Sequence, residues 1–107
     1  MIFEINNENE LYDMIEKNKL VIIDFYSSTC QPCEYIAPFF EKLSNIYPDM
    51  VFIKINGNSF INVLRKFQVC IFPSFYILLN GDIKKIIKGS QKILLENEIK
   101  DFIKNNN

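Results

Sequence analysis

A single α/β domain, with a central mixed sheet flanked by helices on both faces, is the fold class this sequence predicts. Three observations carry that prediction. The chain has 107 residues, the length of one domain. Its composition, 49% hydrophobic and 23% charged, is that of a globular chain and not of a disordered one. Continuous β-branched runs alternate with stretches of helical periodicity. Such alternation places parallel strands inside and helices outside.

The elements follow in order. Ile2 to Ile5 is a short apolar strand. Asn7 caps a helix to about Lys17, with Leu11, Met14 and Ile15 at helical spacing. Leu20 to Tyr26 reads as a strand covered on both faces, which makes its single charge, Asp24, conspicuous. After Ser27-Ser28-Thr29-Cys30-Gln31-Pro32-Cys33 comes a helix with Ile36, Phe39, Phe40, Leu43, Ile46 and Tyr47 on one stripe. Pro38 sits inside it. Val51 to Ile55 is a second buried strand, and Phe60, Val63, Leu64 and Phe67 make a short amphipathic helix. Phe75 to Leu79 and Ile83 to Lys88 flank Asn80-Gly81, a hairpin signal that adds an antiparallel pair. Gln91 to about Asn105 is the last helix, with Leu95, Ile99, Phe102 and Ile103 inward. The tail Asn105-Asn106-Asn107 is expected to fray.

Composition removes several functions. Twelve basic residues against thirteen acidic ones leave no basic footprint for nucleic acid. The absence of histidine removes His-based triads and His metal sites. Three cysteines are too few, and odd in number, for a disulfide-stapled scaffold. The first ten residues carry three Glu and no basic side chain, so no secretory signal is expected. The longest apolar-rich run, Val69 to Leu79, is too short to span a bilayer. These readings predict a cytoplasmic protein, organellar only if a leader precedes Met1, with no membrane and no nucleic-acid partner.

Cys30 and Cys33, separated by Gln31 and Pro32, follow a buried strand and open a helix. Free N–H groups and the helix dipole at that point favour a negative charge, so the Cys30 thiol should be acidified. Cys33 lies one turn in, more shielded and close enough to close a disulfide. Pro32 presets a helical φ where no N–H is needed. The chemistry implied is thiol–disulfide exchange, with Cys30 attacking and Cys33 resolving. A zinc site needs four ligands, and one pair without His does not supply them. Binding of a metal or iron–sulfur cluster between two chains is the remaining metal alternative.

The segment Val21-Ile22-Ile23-Asp24-Phe25-Tyr26, then Cys30-Gln31-Pro32-Cys33 and Ile36-Ala37-Pro38, resembles the thioredoxin family. So do Phe72-Pro73-Ser74-Phe75, Asn80-Gly81 and Gly89. The resemblance runs from about Glu10 to Phe102 and implies the thioredoxin fold for residues 1–107. It implies that Pro73 follows a cis peptide facing the cysteines. It further implies that Gln31, Pro32, Phe72, Pro73 and Gly89 receive the substrate, the backbone of Phe72 pairing with an extended chain. Asp24 matches a buried acid beneath the motif and Lys54 its partner on the next strand. Desolvation should raise the Asp24 pKa, which suits a group taking the proton of Cys33. The bland readings are an Asp24 capped by hydroxyls of Ser27 or Ser28 and a Lys54 that snorkels to solvent.

The chain departs from the family's usual Trp-Cys-Gly-Pro-Cys. Gln31 stands for Gly, Thr29 for Trp, Tyr26 for a second Trp, and Glu34 where a basic residue is frequent. Cys70 is either a half-buried apolar filler or a modifiable, regulatory thiol. Phe39, Phe40, Phe60, Phe67 and Phe102 read as core, and Lys84, Lys85 and Lys88 as a solvated face. The expectation is a monomeric dithiol–disulfide oxidoreductase that reduces protein disulfides and has no cofactor beyond its own Cys30–Cys33 pair. A thioredoxin reductase or glutathione system would regenerate it. The alternative is a partner-binding scaffold of the same fold with weak or altered redox activity.

Overall fold

The three central strands of this chain alternate their side chains between two apolar layers. A computed structural model describes residues 1–106. In chain order the elements are β1 (Ile2–Glu4), α1 (Glu8–Lys17), β2 (Leu20–Tyr26), α2 (Gln31–Ile46) and β3 (Val51–Asn56). They continue as α3 (Ile61–Phe67), β4 (Ser74–Leu79), β5 (Asp82–Lys88) and α4 (Lys92–Asn106). The five strands lie in the order β1-β3-β2-β4-β5. β1, β3 and β2 run parallel, and β4 pairs antiparallel with both β2 and β5.

Leu20 and Ile22 of β2 join Phe52, Phe75 and Ile77 under α2 and α4, against Ile36, Phe40, Leu43, Leu95 and Ile99. Val21, Ile23 and Phe25 face the other way, with Ile53, Ile55, Tyr76, Leu11 and Val63, under α1 and α3. Period-two alternation produces this division, since successive Cβ atoms leave opposite faces of a strand. The alternation puts Asp24 on the α2/α4 face with Leu20 and Ile22.

Local signals hold. The Asn7 side chain accepts the Glu10 N–H at 2.9 Å as the cap of α1. Asn80 and Gly81 take φ of 50° and 86°, the two positive values a tight hairpin turn needs.

Two expectations fail. Ile46 does not belong to the buried stripe of α2 and is 48% exposed. At about 100° per residue it lies roughly 80° from Ile36, whereas Phe40, Leu43 and Tyr47 stay within about 40°. The end of the chain is helical where fraying was expected: α4 continues through Asn106, whose side-chain amide donates to the Phe102 carbonyl at 2.9 Å. Asn107 lies outside the described residues.

Candidate active site

The C-terminal ends of β2 and β3 and the N-terminal end of β4 meet at one edge of the sheet. Tyr26 pairs with Asn56, and Phe25 pairs with Ser74, so the loops beginning at Ser27 and Gly57 and ending at Pro73 converge there. Open α/β sheets characteristically carry their sites at such an edge.

Cys30 is the N-cap of α2 in extended conformation, φ −111° and ψ 110°. Its Sγ accepts the Cys33 N–H at 3.2 Å, so the sulfur itself satisfies one of the orphan donors of the helix start. Cys30 and Cys33 form a disulfide with Cα atoms 5.3 Å apart. Cys30 is part-exposed while Cys33 is 5% exposed. The expected asymmetry between the two sulfurs is therefore present. Gln31 and Pro32, between them, are both exposed.

The loop leading to Cys30 is tied down by Asn58, which sequence reasoning missed. Its Oδ1 accepts from Ser27 Oγ at 3.0 Å, Ser28 N–H at 3.1 Å and Ser28 Oγ at 3.2 Å. The available signal was the Asn56-Gly57-Asn58 triplet after a buried strand, a turn composition. Gly57 is required for a different reason. A Cβ there would lie 2.6 Å from the Phe72 ring. The Phe72 side chain packs against the core cluster that includes Val63. The Phe72–Pro73 peptide is cis. The Gly89 N–H donates to the Pro73 carbonyl at 2.8 Å, bringing those two residues together.

Asp24 is 1% exposed, and its Oδ1 has no hydrogen-bond partner. Capping by Ser27 or Ser28 fails, because both hydroxyls are engaged by Asn58. Burial pushes the Asp24 carboxyl up to about 7; Lys54 opposes that rise and Glu4 adds to it. Lys54 is half-buried, stands directly opposite Asp24 in the β2/β3 register, and holds its Nζ 4.5 Å from the Tyr26 ring centroid. A cavity of about 200 Å³ is walled in part by Tyr26, Cys33, Glu34 and Lys54, so the buried cysteine and the lysine border one hollow.

Cys70 corrects one expectation. It is exposed and not a half-buried filler, and its thiol points to the Gln68 carbonyl at 3.7 Å. The segment that carries it follows Gln68, left-handed at φ 56°; Val69 and Phe72 pack on the core while Cys70 and Ile71 between them are exposed. The bland readings of the phenylalanines and lysines hold. Phe40 and Phe102 are buried, Phe39, Phe60 and Phe67 pack against the core, and Lys84, Lys85 and Lys88 are exposed. Among the described residues no group of three His, Cys, Asp or Glu side chains could hold a metal, and no helix is long and apolar enough to cross a membrane.

The thioredoxin family model matches residues 2–105. Thioredoxin-1 of Schizosaccharomyces pombe is 34% identical over 100 residues, which cover 94% of this chain and 97% of the relative. The structure of Plasmodium falciparum thioredoxin superposes with a TM-score of 0.91 at 32% identity, covering 94% of this chain and 98% of that one. Oxidised mitochondrial thioredoxin 3 of Saccharomyces cerevisiae gives 0.88 at 31% identity, covering 94% of each chain.

Proposed function

The chain belongs to the thioredoxin family and is a protein dithiol–disulfide oxidoreductase; from that premise we propose how its residues divide the work. The redox group is the protein's own disulfide, with no separate cofactor. The observation that carries the proposal is the unequal placement of the two sulfurs on one helix start, Cys30 part-exposed as the cap and Cys33 buried one turn deeper.

In the reduced protein the Cys30 thiolate attacks one sulfur of a substrate disulfide. A mixed disulfide forms and the other substrate sulfur leaves as thiolate. Cys33 then gives its proton to the Asp24 carboxylate and attacks the Cys30 sulfur. The Cys30–Cys33 disulfide forms, and the second substrate sulfur departs reduced. Two electrons pass from the protein dithiol to the substrate. An Asp24 pKa near 7 suits the transfer, since the group is then both ionised and basic at working pH. Lys54 limits how far burial raises the acid.

Gln31, Pro32, Phe72, Pro73 and Gly89 receive the substrate, Gln31 and Pro32 as exposed residues, buried Pro73 through its backbone, and Phe72 likewise because its ring lies against Gly57. The substrates are disulfide-bearing proteins, and a thioredoxin reductase or a glutathione system restores the dithiol. The protein acts as a monomer in the cytoplasm, carrying electrons between such partners. Cys70, exposed three residues before Pro73 in the chain, is the thiol open to glutathionylation.

Insulin disulfide reduction driven by dithiothreitol tests the reading. Wild type accelerates it, Cys30→Ser does not, and Cys33→Ser traps a mixed disulfide. Alkylation of the reduced protein at neutral pH labels Cys30 first. Equal, slow labelling of both sulfurs would overturn the assignment.

A further inference from the structure

Sheet register lines up three charged residues in one row beneath α2. Glu4 of β1 is opposite Lys54 of β3, and Lys54 is opposite Asp24 of β2. A lysine between two carboxylates would ordinarily pair with one of them. Here neither does so: among the described residues the ion pair within 4 Å is Lys85–Glu98. Lys54 instead holds its ammonium 4.5 Å from the centre of the Tyr26 ring. Tyr26 is two residues beyond Asp24 on the same face of β2, and its phenol donates to Glu4 Oε2 at 3.0 Å.

The ring is thus anchored at its far end by one carboxylate while its face holds the cation that influences the other. Cation–π attraction strengthens when the cation is partly desolvated, as half-buried Lys54 is. Burial and the Glu4 bond push the Tyr26 phenol up to about 12, so it remains a donor at neutral pH. Lys54 also borders both hollows beside the row, one walled by Cys33 and the other, about 380 Å³, by Glu4 and Glu41. An unheld lysine would have room to swing into either, away from Asp24.

We propose that Tyr26, braced by Glu4, is a positioning residue that holds Lys54 at Asp24 and so sets the pH at which Asp24 takes a proton. This rests on the reading of Asp24 as the proton acceptor for Cys33. The groups facing Asp24 are few. β1 supplies Glu4, β3 Lys54 and β2 Tyr26, while α2 supplies Cys33, Glu34 and Glu41 around the adjoining hollows. β4 presents Phe75, and α4 turns Leu95 and Ile99 to this face, so neither adds a charge.

The test follows the Asp24 side-chain carboxyl by carbon NMR in the oxidised protein, which needs no turnover. Lys54→Met raises the midpoint by about one pH unit, since an opposing positive charge is lost. Tyr26→Leu raises it by about half as much, because the lysine stays but is no longer held. Tyr26→Leu added to Lys54→Met moves it no further. Tyr26→Phe, which keeps the ring, moves it by less than Tyr26→Leu. Glu4→Gln lowers it, as a neighbouring negative charge disappears while the amide oxygen can still accept the phenol proton. An unmoved midpoint in Tyr26→Leu, or an equal shift with and without Lys54, overturns the proposal. The wild type supplies a check free of any folding defect: the Lys54 ε-methylene protons are shifted upfield by the ring. Ordinary lysine shifts there also overturn it. A failure of insulin reduction with these shifts intact would instead strike the catalytic reading and leave the positioning in place.

Discussion

The two faces of the sheet are made by the same strands, yet they tolerate charge very differently. Under α1 and α3 the row carries no charge. Phe25 packs edge-on to Tyr76 at 5.1 Å between ring centroids and lies 5.3 Å from Phe67, and the polar side chains there are partnered, the Tyr76 hydroxyl donating to the Phe67 carbonyl at 2.9 Å and the Ser74 hydroxyl to the Ile71 carbonyl at 2.6 Å. Under α2 and α4 the same alternation places Asp24 two residues from Ile22, with one oxygen unpartnered. The hydroxyls buried on the first face have partners, and the second leaves one carboxylate oxygen without one. Buried polar groups without partners destabilise a fold. The proton transfer proposed for Asp24 gives that cost a purpose.

The largest effect expected sharpens that contrast. Cys30→Ser lowers insulin reduction by roughly 10³-fold or more while leaving the stability of the reduced protein near wild type. An assay paired with urea unfolding checks both halves. Phe25→Ala, on the opposite face, does the reverse. It costs about 3–5 kcal/mol in stability, because a fully buried ring leaves a cavity. The folded fraction keeps its exchange rate.

Asp24→Asn breaks the comparison most directly. The folded-state value near 7 exceeds the ordinary 3.8, so the native state binds more protons than the unfolded state between those limits. Wild-type stability therefore falls as pH rises from about 4 through about 7, and the whole penalty is present above that. The variant lacks the penalty and should be roughly 2–4 kcal/mol more stable at pH 8, with little difference at pH 4. Urea unfolding at the two pH values measures this. The same change slows the resolving step, so mixed disulfide accumulates. A variant no more stable at pH 8 would show that the buried carboxylate carries no such cost.

The smallest effect concerns the loop between the faces. Asn58→Ala removes the acceptor shared by Ser27 and Ser28 and costs about 1 kcal/mol, since water replaces much of what is lost at an exposed position. Hydrogen exchange at the Ser28 amide should speed up. Unchanged protection there would mean that the loop is held by something other than Asn58.

Most of the fold was legible because its signals are local. The Asn7 cap, the Asn80-Gly81 turn and the placement of Cys30 and Cys33 at a strand-to-helix junction depend on near neighbours in the chain. Asp24 was legible for the opposite reason, as the one charge in a run otherwise apolar. Ile46 misled because a stripe read from residue spacing alone does not mark where its edge falls.

The chain's own pattern decided which segments are strands and helices, which side of each turns inward, and which sulfur caps α2. Those are matters of periodicity and of φ/ψ preference, settled within a few residues. Tertiary structure alone decided that β4 enters antiparallel beside β2, that Phe72 lies over Gly57, and that Glu4, Lys54 and Asp24 share one row with Tyr26 across it. Strand order and register join residues 30 to 59 positions apart. No local pattern specifies such pairs; the packing of the two apolar layers selects them.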